Sequence, residues 1–279
     1  MGDYEKRGYL LENFRLFHLQ TDRAPAVDFH FHEFCKLLFL VSGKGGYVVE
    51  GQRYQLQSGD IVCIDSRCVH RPEIEDNTEY ERIILYVDPA FLQRESTEQS
   101  NLLACFGRGH VLRLPEHRRK KLFEMAASLE KELKKDAFGR DIASNAALLR
   151  LMVQIGREQE NVFYPAPETP KNKRTAELME YLDAHLAEDL NIDSLAEQFY
   201  VSKFHMMRQF RKETGYSIYD YLSQRRLLHA RDLMQKGMRA TEACYRSGFR
   251  SYSSFTRSFS KHFGSTPTGR GQQRAEDYE

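Results

Sequence analysis

Tryptophan is absent from this chain, and so is any long apolar run. No stretch approaches the ~18–20 consecutive apolar residues that a membrane-spanning helix needs. Residues 1–8 carry acidic and basic side chains in place of the apolar core of a secretory signal. We therefore expect a cytoplasmic protein with no membrane partner.

Cysteine is scarce, and its positions argue against two kinds of stabilised fold. The five cysteines are odd in number and scattered, which does not fit a disulfide framework. Cys63 and Cys68 form one close pair without a second, so a structural zinc site is not predicted. Nucleotide-binding, serine-hydrolase and zinc-protease motifs are missing as well. We predict reduced thiols, no cofactor and no catalytic residues.

Net charge is also nearly absent, because 41 Lys and Arg stand against 40 Asp and Glu, a total of +1. The two signs are separated along the chain, however. Residues 201–275 contain 15 basic and four acidic residues, so this segment carries +11 and the remainder −10. Such an asymmetry is typical of a nucleic-acid-binding module joined to a different domain.

The first part of the chain has the pattern of short β-strands separated by turns. Strands this short and evenly spaced indicate a β-sandwich or barrel, which we place at residues 1–115. Glycine-rich turns, such as residues 42–46, separate the strands. The predicted strands cover residues 36–41, 47–50, 54–56, 61–64 and 82–87.

Two amphipathic helices are predicted in residues 116–160, where the apolar period becomes helical. The second helix begins near Asp141, a plausible N-cap residue. The two apolar stripes pack on their own barrel or form a dimer interface of heptad-like spacing, and both alternatives stay open. The stripes are Leu122, Met125/Ala126, Leu129 and Leu133 in the first helix, and Ile142, Ala146, Leu149 and Val153 in the second.

A linker is predicted at residues 161–173, which contain three prolines and no apolar period. At 279 residues the chain has room for two domains of ordinary size. We therefore predict a second, all-helical domain at residues 174–272.

A helix-turn-helix pattern opens this second domain. Its first unit covers about residues 192–213, with Asp193 or Ser194 as the cap of a short helix. Ser202 then caps a second helix, which ends at Gly215 and is rich in basic residues. A short helix, a tight turn and a basic helix are typical of a DNA-reading unit.

The same pattern recurs at about residues 240–263, where Ser251 caps a helix that ends at Gly264. Alignment of the two units sets Arg208 against Arg257, 49 residues apart. A long helix between the units has an apolar stripe that joins them. Two units bridged in this way can place their reading helices in successive major grooves, ~34 Å apart on one face of DNA.

From about Leu190 to Pro267 the chain resembles the DNA-binding domain of AraC-type (AraC/XylS family) transcription regulators. About 80 residues carry the resemblance. It implies a double-stranded DNA partner, a homodimer, and contact with RNA polymerase. The matching residues are Leu195-Ala196, Ser202, Phe210 to Gly215, Tyr221-Leu222, Arg226-Leu227, Ala230, Gly248-Phe249, Ser251, Phe255, Arg257 to Phe259, Lys261, Phe263-Gly264 and Pro267.

The resemblance also implies which residues meet the bases, because in this family the second helix of each unit reads DNA. Arginine can bind guanine O6 and N7 with two hydrogen bonds, whereas lysines more often hold phosphates. The predicted DNA-binding residues are Ser202, Lys203, Phe204, Met207 and Arg208 in the first unit, and Tyr252, Ser253, Thr256 and Arg257 in the second.

The N-terminal domain is similar to the cupin-like sensory domains of such regulators. His30 and His32 alternate on a predicted strand, Lys36 shares their parity, and His70 follows Gly59 at the cupin spacing. Metal-binding cupins have a glutamate at the position of Lys36, and an ammonium group there repels a divalent cation. We therefore predict an anionic ligand at these four residues, with a metal on His30, His32 and His70 as the less favoured alternative.

These observations predict an α+β multidomain protein: a cupin-like β-barrel with C-terminal amphipathic helices, then an all-α domain of two helix-turn-helix units joined by a long helix. The expected function is transcription regulation, in which the barrel senses a sugar or an anionic metabolite and alters the dimer geometry on DNA. Two alternatives stay open. One is a ligand-independent dimeric regulator, and the other is a cupin isomerase or dioxygenase fused to a DNA-binding domain.

Overall fold

A computed structural model describes residues 10–21, 27–74, 79–107, 110–160 and 173–268. The chain divides into two compact units, Met1–Pro170 and Lys171–Glu279. The predicted linker lies outside the described residues apart from Lys173, and so do the last four residues of the predicted second domain.

The first unit contains eight strands among its described residues, arranged in two antiparallel sheets. A five-stranded sheet has the order β1-β7-β2-β5-β8, and a three-stranded sheet has the order β4-β3-β6. The two sheets form the predicted cupin-like β-barrel. The strands are β1 (Phe14–Thr21), β2 (Cys35–Ser42), β3 (Gly45–Val49), β4 (Gln52–Leu56), β5 (Ile61–Ile64), β6 (His70–Ile74), β7 (Tyr80–Val87) and β8 (Val111–Leu112).

Alternate side chains of the five-stranded sheet enter two separate cores. On β2, Leu38 and Leu40 pack between the sheets, whereas Leu37 and Phe39 pack on the opposite face. Side chains of a strand alternate between its two faces, so a sheet covered on both sides consists of almost continuous apolar strands. The apolar runs that predicted β2, β5 and β7 therefore form the middle layer of the unit.

Four helices complete the described part of the first unit: α1 (Pro89–Glu95), α2 (Ala104–Gly107), α3 (Glu116–Leu133) and α4 (Arg140–Gln159). The stripe predicted for α3 is confirmed, since Leu122, Ala126 and Leu129 are fully buried in the core outside the five-stranded sheet. Of the two alternatives for this helix, the stripe packs on its own barrel.

The predicted stripe of α4 is not the side that packs most closely on the barrel. Ile142 is 70% exposed and Val153 38% exposed, whereas Leu148, Leu151 and Met152 are fully buried. The helix has apolar residues on two sides. The side with Leu148, Leu151 and Met152 is the one buried in the core of the barrel unit. Periodicity alone does not show which stripe faces inward.

The helix begins near Asp141 as predicted, but the predicted N-cap residue is wrong by two positions. The helix is preceded by Gly139, which has a left-handed backbone with φ of 74° and is the N-cap residue. Asp141 lies in the first turn. Its negative charge there interacts favourably with the positive end of the helix dipole.

The second unit is helical throughout its described residues, as predicted. Its helices are α5 (Lys173–Ala184), α6 (Ile192–Gln198), α7 (Lys203–Thr214), α8 (Ile218–Gln235), α9 (Ala240–Arg246) and α10 (Tyr252–Phe263). None of the helices in the described ranges is long and apolar enough to span a membrane.

Local signals for the two helix-turn-helix units are confirmed in detail. The Ser202 hydroxyl accepts a hydrogen bond from the backbone N–H of His205, and α7 ends at Gly215 with φ of 76°. Ser251 and Gly264 play the same parts in α10. One cap is different from the prediction: Asn191, not Asp193 or Ser194, caps α6, because its side chain accepts a hydrogen bond from the Asp193 N–H.

The long helix α8 joins the two helix-turn-helix motifs of the second unit. It contacts α7 of the first motif and both α9 and α10 of the second motif. Near its middle, the buried Arg225 forms two hydrogen bonds to the carboxylate of Asp183 in α5, and the Tyr221 hydroxyl donates to the same carboxylate at 3.2 Å. These contacts fix α8 against α5, and both α7 and α10 pack on α8.

Candidate DNA interface and ligand site

The predicted reading face of α7 is exposed to solvent. Phe204 is 75% exposed and Met207 39% exposed, and Arg208 is exposed beside them. On the opposite side of the helix Met206, Phe210 and Thr214 are buried. One side of α7 therefore packs in the core, and the predicted residues on its other side are accessible to a partner.

In α10 the buried side is Phe255, Phe259 and Phe263, each 49 residues after its counterpart in α7. Ser253 and Arg257 are exposed, and Tyr252 is half-buried. The hydroxyl oxygen of Thr256 is buried and makes no hydrogen bond to the described residues. Of the four residues predicted for this helix, Ser253 and Arg257 therefore lie most openly at the surface.

The basic residues of the second unit fall into two groups. Arg226 donates to the carbonyl oxygens of Leu186 and Glu188, both at 2.7 Å, and so holds the chain after α5. Arg250 pairs with Asp189, and Arg246 pairs with Glu242 at 3.0 Å. By contrast, within the described ranges no ion pair engages Arg208 or Arg257. Both side chains are exposed to solvent.

Lys203 occupies an intermediate position at the start of α7. Its Nζ lies 2.9 Å from Asp193 Oδ1, in an ion pair whose two side chains are 45% and 64% exposed. An exposed pair of this kind contributes little to stability, so Lys203 can exchange the carboxylate for another anion at little cost.

The three predicted histidines come together inside the first unit. The ring centroids of His30 and His70 are 4.2 Å apart, and those of His32 and His70 are 4.8 Å apart. The prediction that His30 and His32 lie on a strand is wrong. His30 forms an isolated bridge with His70, and the His32 carbonyl instead accepts from the Arg67 N–H at 2.6 Å.

Backbone carbonyls orient all three rings. The Nδ1 atoms of His30, His32 and His70 lie 2.9, 2.6 and 2.9 Å from the carbonyl oxygens of Asp28, Phe34 and Cys68. A carbonyl oxygen can only accept, so each Nδ1 carries the proton, and Nε2 of a neutral ring is left with a lone pair. The Nε2 atoms of His32 and His70 are buried and make no hydrogen bond to the described residues.

The protonation state of the cluster follows from its burial. Burial, together with the charges of Lys36 and His30, holds the pKa of His32 well below its ordinary value of 6.5. Burial and the same neighbours lower the pKa of His70 in the same way. Both rings are therefore neutral at physiological pH, and the positive charge expected from three histidines is reduced.

Lys36 lies inside the barrel, as predicted from its parity. It sits on β2 opposite Tyr86 of β7, it is 3% exposed, and its Nζ is 5.7 Å from the Tyr86 ring centroid. Aromatic neighbours that the sequence did not single out complete the site: Phe34 stacks on His32 at 3.8 Å, and Tyr47 stacks on His70 at 6.0 Å. No sequence signal shows the inward direction of Tyr86, because it follows from the register that sets Tyr86 opposite Lys36.

Comparison with known proteins gives two family models along this chain. An AraC-like ligand binding domain matches residues 17–152, and a helix-turn-helix domain matches residues 195–270. The first match spans the histidine cluster, and the second spans both reading helices.

Several relatives share this arrangement. The HTH-type transcriptional activator RhaS of Escherichia coli is 27% identical over 256 residues, 88% of each chain. The uncharacterized HTH-type transcriptional regulator YbfI of Bacillus subtilis is 25% identical over 223 residues, 79% of this chain and 78% of that one. Among solved structures, apo ToxT from Vibrio cholerae is 12% identical with a TM-score of 0.41, over 92% of this chain and 96% of ToxT. The two domain matches, in this order on one chain, show that it belongs to the AraC family of transcription regulators.

Proposed function

We propose that this chain regulates transcription by reading a specific double-stranded DNA site with α7 and α10. The observation that carries the proposal is the duplicated reading face. Two helices with the same serine cap, glycine end and buried stripe each leave an arginine exposed, Arg208 in one and Arg257 in the other, without an ion pair to the described residues. Successive major grooves on one face of DNA are the target that suits such a pair.

In this proposal different residues contact the bases and the phosphates. Arg208 and Arg257 select guanines, while Phe204 and Met207 supply apolar contact to thymine methyl groups. Ser202, Lys203, Tyr252, Ser253 and Thr256 lie around them. A contact from Lys203 to a phosphate gives affinity without sequence choice. The chain acts where DNA is found, in the cytoplasm, and has no catalytic role.

The barrel is the sensing domain in this proposal. His30, His32, Lys36 and His70 surround the site of a small effector, a sugar or an anionic metabolite. Support comes from the burial of His32, Lys36 and His70, with His30 half-buried beside them, in a domain whose family model is a ligand binding domain. The effector acts by binding one dimer geometry more tightly than another, which changes how the reading helices meet their half-sites.

The dimer is proposed to form through α4. Its stripe of Ile142, Ala146, Leu149 and Val153 has the alternating spacing of four and three residues that is typical of a coiled-coil seam. Ile142, Ala146 and Val153 are exposed, whereas Leu149 is half-buried against the barrel core. The opposite side of α4 is held on the barrel. A regulator of this class also contacts RNA polymerase to change the rate of transcription.

Two substitutions test the DNA proposal. Arg208→Ala and Arg257→Ala should each weaken binding to the operator by about 1–3 kcal/mol, the discrimination of one bidentate guanine contact. Binding to random DNA should change much less. Arg94→Ala, which removes the same charge from α1 of the first unit, is the matched control. Affinities are measured by fluorescence anisotropy on an operator found by footprinting the neighbouring promoters.

Equal losses on operator and random DNA would show that the two arginines hold only phosphates. The sensing part is tested separately, by a thermal-shift screen of the full chain against sugars and carboxylic acids. A true effector raises the unfolding temperature through its preferential binding to the folded state. If no compound does so and His70→Ala leaves transcription unchanged, the regulator is ligand-independent.

A further inference from the structure

We propose that Asp189 and Asp193 compete with DNA phosphates for two cations of the helical domain, and so lower the affinity of the chain for DNA of any sequence. The two carboxylates pair with Arg250 and Lys203, which stand at the starts of the two reading helices. The inference rests on the DNA-reading function proposed above. It is measured on random DNA, so the inference and that function can fail separately.

Each of the two cations lies next to the serine that caps a reading helix. Lys203 follows Ser202, the cap of α7, and Arg250 precedes Ser251, the cap of α10. The first turn of a helix has unpaired backbone N–H groups and the positive end of the helix dipole, both of which attract anions. A cation beside the cap strengthens this attraction. We therefore expect phosphates of the DNA backbone to meet the chain at these two positions.

In the structure both cations are already occupied by carboxylates. Lys203 Nζ lies 2.9 Å from Asp193 Oδ1, and the Arg250 guanidinium pairs with the Asp189 carboxylate. The four side chains are between 45% and 75% exposed, and the Arg250 pair lines a cavity of about 570 Å³ in which the arginine has room to turn. Such exposed pairs are weak enough to open when DNA arrives. Opening each one nevertheless subtracts from the energy that the phosphate contact supplies.

One short segment supplies both carboxylates. Residues 188–193, which lead into α6, contain three acidic side chains and no basic one. Hydrogen bonds hold this segment in place: Arg226 of α8 donates to the Glu188 carbonyl oxygen at 2.7 Å. The Asn191 side chain accepts from the Asp193 N–H at 2.8 Å and so caps α6. The two carboxylates are therefore fixed within reach of both reading helices.

The two ion pairs do not occupy equivalent positions in the two helix-turn-helix motifs. The 49-residue offset between the motifs sets Lys203 against Tyr252, and it sets Arg250 against Val201. The same arrangement of charge is thus reached with different positions in each motif. It does not follow from the repeat of the motif itself, which favours a role for the arrangement in the DNA-binding surface as a whole.

The expected consequence is a threshold on DNA binding. Contacts to phosphates supply most of the affinity of a regulator for random DNA. A cost at two of these contacts lowers the affinity for all sequences, while base contacts by Arg208 and Arg257 still hold the chain on its operator. Fewer chains are then held on the large excess of unrelated DNA.

Asparagine substitutions in the full chain test the inference, with binding to random DNA measured by fluorescence anisotropy at low and high salt. Asp189→Asn and Asp193→Asn should each tighten binding by about twofold to fivefold at low salt, the range of one exposed ion pair. The double variant should gain about tenfold, and the gain should shrink at high salt. Glu197→Gln is the matched control, because it removes an exposed carboxylate of α6 that forms no ion pair within the described ranges. Thermal unfolding confirms that each variant is folded.

A double-mutant cycle separates competition for a cation from general repulsion between a carboxylate and DNA. In a Lys203→Gln background Asp193→Asn should lose most of its effect, because the carboxylate no longer has a cation to occupy. Arg250→Gln should likewise remove most of the gain from Asp189→Asn. The crossed combination, Asp189→Asn in the Lys203→Gln background, should keep its full gain and serves as the internal control.

Three outcomes would overturn the inference: unchanged affinity for random DNA in both asparagine variants, an equal gain in Glu197→Gln, or an undiminished gain in the Lys203→Gln background. Base reading is judged separately, on the operator, with Arg208→Ala and Arg257→Ala. Equal losses on operator and random DNA in those two variants would contradict base reading and leave the competition intact. A chain that binds no DNA, in the wild type and in the asparagine variants alike, would contradict both.

Discussion

In the turn of each helix-turn-helix unit one residue adopts a left-handed backbone, and the two units place different residues there. The first has Tyr200 with φ of 53°, and the second has Gly248 with φ of 85°. A Cβ atom on Gly248 would lie 2.3 Å from the carbonyl oxygen of Leu186. Tyr200 tolerates the conformation because its side chain is 92% exposed. Close packing, and not the conformation alone, requires glycine in the second turn.

Gly248→Ala should therefore lower the free energy of unfolding of the helical domain by more than the strain of a left-handed alanine alone would. The matched control is Gly237→Ala, where φ is 91° but no atom lies within 4 Å of an added Cβ. We expect a loss of about 1–2 kcal/mol for Gly237→Ala, from the conformational cost of a left-handed alanine. The loss for Gly248→Ala should be larger by at least about 1 kcal/mol, because the chain after α5 must move. Urea unfolding of both variants measures the difference, and equal losses would contradict the steric argument.

His18 connects β1 with two carboxylates on other elements. Its Nε2 lies 2.8 Å from Glu81 of β7, and its Nδ1 lies 2.9 Å from Glu130 of α3. The ring can donate to both carboxylates only when it is protonated. Burial lowers the pKa of His18, but the two hydrogen bonds and the two negative charges outweigh burial and raise it above 6.5. The proton thus helps to hold α3 on the sheet.

The stability of the first unit should depend on pH in the corresponding way. The stabilisation from His18 is fully present below the unfolded pKa of 6.5, and it is lost as the pH rises through the higher folded pKa. At the acid end the pKa of Glu130 lies below 4.5, so the interaction persists down to about that pH. The free-energy difference between wild type and His18→Gln should be largest between pH 4.5 and 6.5 and shrink above it. His117→Gln is the control, and a difference that grows with pH would contradict the assignment.

At the scale of elements, α4 is a helix with two apolar sides. One side, with Leu148, Leu151 and Met152, is buried against the barrel core. The other, with Ile142 and Val153, is exposed in the isolated chain. An exposed apolar stripe on an otherwise polar surface is typical of an interaction site. The same helix therefore packs on the barrel with one side and, in the proposed dimer, contacts a second copy with the other.

Ile142→Asp and Val153→Asp should weaken the dimer without unfolding the barrel. Each removes one large apolar contact per protomer and introduces a charge, which costs about 2–3 kcal/mol of association and raises the dimer Kd by about 30–150-fold. The unfolding temperature of the monomer should be unaffected, because both sites are exposed. Ala143→Asp, on an exposed position beside the stripe, is the control. Sedimentation equilibrium that shows no change in Kd for the stripe variants would move the dimer interface away from α4.

At the scale of the whole molecule, the near-zero net charge is the sum of two unlike parts. Residues 201–275 carry +11 and the rest of the chain −10. Some of the basic residues support the fold, such as Arg225 with Asp183 and Arg226 with the carbonyls after α5. The charge that remains for phosphates is therefore smaller than the total in that segment.

Salt dependence separates the two kinds of DNA contact. Lys203→Gln should weaken binding to operator and random DNA alike, and should reduce the slope of log affinity against log salt by about 1. Lys120→Gln removes the same charge from α3 of the first unit and should leave the slope unchanged. A Lys203→Gln variant that loses operator affinity with an unaltered slope would indicate a base contact in place of a phosphate contact.

Local chemistry made part of this fold predictable from the sequence. Ser202 and Gly215 bound α7 as predicted, because a hydroxyl cap and a left-handed glycine act within one turn. The Asn191 cap was missed because Asp193 and Ser194 are equally suitable caps two and three positions later. The inward side of α4 was also not predictable. Its two apolar stripes differ only in what they contact, and those contacts come from distant strands.

The candidate ligand site shows the same division. Spacing and parity predicted that His30, His32, Lys36 and His70 lie together. In the first unit the three histidines form one cluster, and Lys36 lies beside the Tyr86 ring close to it. Their hydrogen-bond roles could not be predicted. They depend on which carbonyls face each Nδ1, and the conformation of an irregular loop decides this for Cys68. Sequence reasoning therefore treated the histidines as positive groups, whereas burial makes His32 and His70 neutral acceptors.

The middle sheet of the first unit gives protein engineers a simple numbering rule. On β2, β5 and β7 the even-numbered side chains, such as Leu38, Ile64 and Ile84, line the inside of the barrel. The odd-numbered ones, such as Leu37 and Leu85, touch the core beneath α3 and α4. A library restricted to even positions should change the chemical preference of the proposed sensor while it keeps the helix-supporting surface intact. A library at odd positions should instead tune the strength of the response to an unaltered effector, so recognition and output can be evolved as two independent traits.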